Sequence, residues 1–372
     1  MRILIVGGGV LGTMHAWQVS HRGHDVVHLE REPEARGASV RNFGLVWGSG
    51  RAGGPELTTA LRARELWQTI AEQTPALGFR ANGSLTVLRT EAERAVADAA
   101  TTKADAAERG FKLLTPAEAR RLNPALRGDF TAALWCERDA AVEPRTAQPA
   151  LRDALRKTGR YTWLPSREVR TLTGTGVTDD RGDHHEGDVT IFCTGAWLGG
   201  LVRELADEVP VRRVRLQMAQ TEPLGETLTT SVADADSFRY YPAFRGAALA
   251  ELGRTQPQGD VAAAHAMQLL MVQRLDGSLT IGDTHEYDQP FGFDVIEDPY
   301  EHLAEVAGAL LGRPLPRIRR RWAGVYAQAL DPAAIVYRQR LADNAFLVTG
   351  TGGRGMTCSP AIAEDTAREL GL

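Results

Sequence analysis

The hydrophobic pattern opens on a short run. Residues 2–6 (RILIV) are almost wholly apolar and end at glycine, which reads as a strand buried on both faces. Residues 10–22 predict a helix and 25–29 (DVVHL) a second strand, a strand, glycine turn, helix, strand unit. Further helices are predicted over 55–74, where Pro55 suits the first turn, over 91–109, over 115–122 behind a capping Thr115, and over 146–157. Strand-like runs fall at 84–88 (SLTVL) and 188–195 (DVTIFCTG), the latter leading into a helix at 197–206. Residues 211–290 alternate in short segments, including RVRLQMAQTEP, SFRYYPAF and LLMVQRLDGSLTIG, and predict antiparallel sheet. After a helix at 299–312, residues 345–360 (AFLVTGTGGRGMTCSP) repeat the order strand, glycine turn, helix, with a closing helix at 359–370.

Parallel α/β patterning thus sits at the start, near 188–206 and at the end, and the antiparallel middle interrupts it. The expected class is α/β: a Rossmann-like dinucleotide-binding domain from segments 1–80, 140–208 and 318–372, with an α+β substrate domain from 81–139 and 209–317 inserted. A length of 372 residues accommodates both.

Charge narrows the field. With 43 basic and 47 acidic residues the net charge is −4, which argues against a general nucleic-acid binder. Only Lys103, Lys112 and Lys157 are lysines, so 40 of the 43 basic residues are arginine, and any anion site is expected to be built from guanidinium. Cys136, Cys193 and Cys358 lie far apart with no CxxC pair; neither a metal site nor a disulfide framework is expected, and a reducing compartment fits. The N-terminus lacks a signal-like apolar region and no run of about 18 apolar residues occurs, so a cytoplasmic protein without a membrane span is expected.

The first chemical motif is Gly7-Gly8-Gly9-Val10-Leu11-Gly12, a G-x-G-x-x-G between predicted strand and helix. Glu30 ends the second strand and completes the dinucleotide fingerprint. Gly7 makes the tight turn, Gly9 lets a pyrophosphate approach the backbone, and Gly12 lets helix and strand pack closely. The helix N-terminus offers N–H groups to the phosphates. Glu30 would accept from ribose hydroxyls and repel a 2′-phosphate, which disfavours NADP. The motif alone does not separate NAD from FAD.

Later segments add to it: GASVRNFGLVWGSG (37–50), DVTIFCTGAW (188–197) and Gly350–Met356. With these the chain resembles the D-amino-acid oxidase, glycine oxidase and sarcosine oxidase-type family of FAD-dependent oxidoreductases, over most of its length. The resemblance implies a glutathione reductase-like domain holding extended FAD and a sheet-rich domain covering the substrate. It places Gly7, Gly9, Val10, Leu11 and Gly12 at the pyrophosphate, and Glu30 and Arg31 at the adenosine ribose. Ser39, Asn42 and Gly44 match a stretch near the flavin end, and Val169 the valine whose backbone meets the adenine. Gly195, Ala196 and Trp197 match the family's G-A-W. Gly353, Arg354, Gly355 and Met356 form the glycine turn beside the isoalloxazine, where N–H groups at a helix N-terminus would stabilise negative charge.

The implied reaction is oxidation of the C–N bond of a small anionic amine, an amino acid, N-methyl amino acid or aminophosphonate. Hydride passes to flavin N5 and the resulting imine hydrolyses to an aldehyde or keto acid; the cofactor carries the chemistry and no catalytic side chain is required. Tyr326 stands where glycine oxidase-like members carry a carboxylate-clamping arginine. Gly324 stands where sarcosine oxidase-like members carry a flavin-linking cysteine, so FAD is expected to be non-covalent. Thr280 replaces their oxygen-activating lysine, which leaves O2 or another carrier as electron acceptor. Arg239 and Arg354 are the candidate anion holders, Tyr240 and Tyr241 candidate lid tyrosines, and Trp47 and His285 further pocket candidates. The VRNFG and WAGVY variants resemble a subgroup that bacteria encode beside phosphonate-breakdown functions. Two alternatives remain: an FAD-dependent 2-hydroxy acid dehydrogenase, which needs a base such as His285, and a non-catalytic dinucleotide-binding protein.

Overall fold

A computed structural model describes residues 1–206 and 208–372. Its first sheet has six strands, in the order Tyr337–Ala342, Ala345–Thr349, Val189–Phe192, Arg2–Val6, Asp25–Glu30 and Tyr161–Pro165. All neighbours run parallel except the edge strand Tyr337–Ala342. The apolar run at 2–6 is explained by burial on both faces. Ile3 and Ile5 join a core with Met14, Trp67 and Ile362, while Leu4 joins Val27, Leu29, Val177 and Phe192 on the other side.

The second sheet has eight strands, in the order Ile318–Ala329, Val211–Pro223, Ser278–Gly282, Leu270–Gln273, Ser231–Asp234, Ser84–Leu88, Ala132–Cys136 and Phe111–Leu114. It is antiparallel except where Ser231–Asp234 pairs parallel with Ser84–Leu88. The strand Ile318–Ala329, placed from sequence with the cofactor segments, pairs along its length with Val211–Pro223 in this sheet. Its outer end reaches back to the other part: Ala329 N–H donates to Gly350 O at 2.9 Å, and Gln328 bridges Thr351.

Three local expectations are corrected. The single helix expected over 91–109 is split into Glu91–Thr101 and Ala106–Arg109. Thr101 and Thr102 turn their hydroxyls back onto Asp98 O and Ala99 O, which competes with helix propagation. SFRYYPAF, expected to be strand, is two helical turns, Ser237–Tyr240 and Pro242–Phe244. Pro242 has no N–H for a sheet ladder and holds Tyr241 extended, which separates the turns. The expected helix over 197–206 contracts to Leu201–Leu205.

Candidate functional site

The strand Arg2–Val6 delivers the chain into the Gly7 turn. Gly7 sits at φ 113°, and a Cβ there would lie 2.4 Å from Cys193 O. A Cβ at Gly12 would lie 2.0 Å from Gly7 O, so only glycine lets the helix Val10–His21 seat on the strand. Beneath the turn His28 bonds Gly7 O through Nε2 at 2.9 Å and Tyr161 Oη through Nδ1 at 2.9 Å. Burial holds the His28 imidazole down at about 3 and that of His15 at about 4, against an ordinary 6.5. Both stay neutral in the folded protein but protonate in the unfolded chain below pH 6.5. Their stabilisation is therefore complete above pH 6.5 and falls away as the pH drops towards 4. At pH 5 the loss is roughly 2 kcal/mol for each histidine. Thermal unfolding at pH 7.5 and pH 5 is expected to show this fall, and His28→Gln to reduce it; equal slopes for both proteins would exclude the His28 contribution.

At the helix N-terminus Val10 N–H donates to Ser39 Oγ at 2.8 Å, which brings the 37–44 loop against the glycine turn. Asn42 and Gly44 shape that loop. Asn42 Nδ2 donates to Ala38 O and Ser39 O, its Oδ1 accepts from Gly44 N–H, and a Gly44 Cβ would lie 2.1 Å from Val142 O. Glu30 accepts from Gly8 N–H at 2.6 Å and Glu32 N–H at 2.9 Å; burial raises its pKa against these two donors. The Arg31 guanidinium stacks on Trp197, 4.1 Å from the ring centroid.

From here a cavity of about 840 Å³ runs to the Gly353 turn. It is lined by Gly7, Gly9, Val10, Leu11, Glu30 and Arg31 at one end, then by Ser39, Asn42, Val169, Gly195 and Trp197, and by Gly353, Arg354, Gly355 and Met356 at the other. Gly12 and Gly44 stand outside the lining and act by packing.

Tyr240, Tyr241, Tyr326, Trp47, His285 and Arg239 line the Gly353 end. The hydroxyls of Tyr240 and Tyr326 are 3.3 Å apart, and a Cβ on Gly353 would lie 3.7 and 3.9 Å from them. His285 stacks on Tyr240 with ring centroids 4.1 Å apart, Tyr241 meets Tyr240 edge-on at 5.0 Å, and Trp47 lies 5.9 Å from Tyr241. Burial pushes the Tyr240 and Tyr326 phenols well up, so both are neutral donors.

The two arginines singled out from sequence are already engaged. Arg239 donates through Nε to Asp236 at 2.9 Å and through Nη2 to Gln256 O. Arg354 donates to Ala334 O at 3.1 Å and stands 3.6 Å from Glu56. The lining residues that escaped the sequence reading include Arg51, Glu56, Gln268 and Asp283. Arg51 donates to Trp47 O at 2.8 Å and lies 4.0 Å from the same Glu56, so two guanidiniums share one carboxylate. Arg51 lay in the unpatterned stretch SGRAGG, and Asp283 in DTHEYD, where only the histidine had drawn notice. Thr280 lines a separate cavity of about 280 Å³ with Arg145, Arg274, Arg320 and Trp322.

Known proteins decide the family. The profile "DAO: FAD dependent oxidoreductase" matches residues 2–369. The chain belongs to this family. It is 30% identical to the D-amino-acid oxidase of Streptomyces coelicolor over 277 residues, which cover 70% of this chain and 74% of that protein. It is 24% identical to the glycine oxidase of Geobacillus kaustophilus over 60% of this chain and 63% of that protein. A mouse relative, the mitochondrial pyruvate dehydrogenase phosphatase regulatory subunit, is 24% identical, and the match spans 29% of its length. A crystal structure of the Geobacillus kaustophilus glycine oxidase superposes with a TM-score of 0.77 at 20% identity, covering 98% of this chain and 94% of that one. This DAO-family protein uses FAD, and its cavity fits that cofactor. A side chain at Gly9 would fill the space before Ser39, with its Cβ 3.0 Å from Ser39 Oγ; the half-buried Glu30 carboxylate lines the same cavity; and the cavity is continuous to the Gly353 turn. Among the described residues no helix is long and apolar enough to cross a membrane.

Proposed function

We propose that this protein oxidises the C–N bond of a small amine that carries an anionic group, giving an imine that hydrolyses to an aldehyde or keto acid. The observation that carries the reading is the charge at the Gly353 end. Arg51 and Arg354 face one carboxylate, Glu56, at 4.0 and 3.6 Å, which leaves one guanidinium charge over at this point of a pocket walled by Trp47, Tyr240, Tyr241 and Tyr326, with the Asp283 carboxylate elsewhere in its lining. A carboxylate or phosphonate suits paired guanidiniums, and the rings limit the size of what is attached.

FAD, bound non-covalently, supplies the two-electron acceptor. The chain supplies placement. The glycine turn, Ser39 and Glu30 hold the nucleotide end, and the helix Gly355–Glu369 directs its N-terminal partial positive charge at the other end. The Tyr240 and Tyr326 hydroxyls donate to the substrate, and the buried rings exclude water from the reacting carbon. Oxygen or another carrier takes the electrons onward. Three buried, unpaired cysteines suit a reducing, cytoplasmic setting.

A second reading, oxidation of a 2-hydroxy acid, is favoured by His285. Its Nδ1 bonds Ala266 O at 3.0 Å, so Nε2 is left as an acceptor on the cavity. Anaerobic bleaching of the holoenzyme separates the two. Glycine, sarcosine, D-alanine and 2-aminoethylphosphonate are expected to include at least one compound that reduces the flavin far faster than lactate or glycolate. Bleaching by hydroxy acids alone would establish the second reading instead.

A further inference from the structure

Asp283 is the buried charge that the pocket leaves unexplained. Its carboxyl lines the cavity although the residue is only 6% exposed. Among the described residues the one basic side chain within 4.0 Å of it is His285, whose Nε2 stands 4.0 Å from Oδ2. The other oxygen accepts from Gln268 Nε2 at 3.3 Å. No arginine or lysine compensates it among the described residues, and the phenols of Tyr240, Tyr241, Tyr287 and Tyr326 surround it electrostatically. A lone buried carboxylate is costly unless something cationic meets it.

The spacing fits an ammonium. Two acceptors of one tetrahedral nitrogen stand about 4–5 Å apart when each bond is ~2.9 Å. Asp283 Oδ2 and His285 Nε2 satisfy that at 4.0 Å, and His285 is held in place by Ala266 O and the stacked Tyr240 ring.

We propose that Asp283 and His285 form the amine end of the substrate site: both accept from the substrate ammonium, and the Asp283 carboxylate takes one proton from it, so that the neutral amine is oxidised. In that step a substrate N–H bond breaks and an O–H bond forms on Asp283; the electron pair stays on nitrogen, and FAD is the oxidant of the C–H bond. Burial, which raises the Asp283 pKa, makes its carboxylate the stronger proton acceptor. Arg51 and Arg354 at the other charge make the site a reader of zwitterions.

The inference rests on the amine reading, and the test keeps the two apart. Flavin reduction by the amine that bleaches the wild-type holoenzyme is followed against pH in wild type, Asp283→Asn and Asp283→Glu. Asp283→Asn is expected to reduce the flavin 10²–10⁴-fold more slowly near pH 7, on the order of a lost proton acceptor. Its rate should recover about tenfold per pH unit as the amine loses its own proton, and Asp283→Glu should retain part of the wild-type profile. A binding measurement needs no turnover. 2-Aminoisobutyrate, which has no α-hydrogen, is titrated against pivalate, in which a methyl group replaces the amine, by perturbation of the flavin spectrum. Wild type should prefer 2-aminoisobutyrate, and Asp283→Asn should lose at least about tenfold of that preference without weakening pivalate. An unchanged pH profile in Asp283→Asn, or no preference for the amine in wild type, overturns the inference. If the wild-type flavin bleaches with no amine at all, it is the functional reading that fails, and the binding preference alone then decides the site.

Discussion

Gly12→Ala is expected to yield a folded protein that purifies largely without FAD. The added Cβ would stand 2.0 Å from Gly7 O and 3.3 Å from His28 Nε2, and the carbonyl is backbone fixed by the first strand. Relief requires the helix Val10–His21 to slide away from the turn, which misplaces the N–H groups at its end. Strain of this kind costs about 1–3 kcal/mol, and if it falls on the holo geometry the dissociation constant for FAD rises roughly 5- to 150-fold. Gly174→Ala is the control, because a Cβ there meets nothing within 4 Å. Fluorescence titration of the apoproteins with FAD measures the difference. Equal affinities would remove the steric account of the turn.

Asp139→Ala is expected to be the most destabilising single change near the substrate end. Asp139 is fully buried and accepts from Gly48 N–H at 2.6 Å, Ser49 N–H at 3.0 Å and Ser84 Oγ at 2.6 Å. From the other side Arg109 Nη1 donates to Gly48 O and Ser49 O at 3.1 Å each. The segment that carries Trp47 and Arg51 into the cavity is thus held by both its N–H and its C=O groups. Deleting the carboxylate strands two buried N–H donors and the buried Ser84 hydroxyl, a loss of about 3 kcal/mol or more, while Arg109 keeps its ion pair with Asp105. Urea unfolding should show that loss, and the variant should bind anionic amines more weakly than wild type. Asp139→Asn keeps one acceptor and should fall between the two. A midpoint unchanged in Asp139→Ala would mean that Arg109 alone fixes the segment.

The cofactor half of the site was legible because it depends on backbone. Gly7 and Gly12 are fixed by close backbone approaches that no other residue permits, and a strand buried on both faces reads as a continuous apolar run, so local sequence carries the whole unit. The substrate half was legible by residue and not by partner. Tyr240, Tyr326 and His285 do converge, yet nothing in SFRYYPAF announces a helical turn, because alternating aromatic residues suit strand and turn alike until Pro242 is weighed. Arg239 and Arg354, the arginines expected to hold the anion, do line the cavity, but their acceptors, Gln256 O, Ala334 O and Glu56, come from other segments, and sequence distance hides such pairings. Asp283 and Arg51 were missed for the complementary reason. Each is an ordinary charged residue in a polar stretch and acquires meaning only through burial. The position of Ile318–Ala329 in the eight-stranded sheet likewise depends on which strand it pairs with, a choice that its own pattern leaves open.

The outer end of that strand ties the eight-stranded sheet to the glycine turn. Ala329 is bonded to Gly350 and Gln328 bridges Thr351, so Tyr326 sits two residues from a backbone seam that joins the sheet to the turn at Gly353. A seam of peptide hydrogen bonds resists hinging. Passage into the pocket therefore falls to side-chain rotation and to the short helical turns at 237–244, and the rate of product escape should follow changes in those turns more closely than changes in the distance between the two sheets.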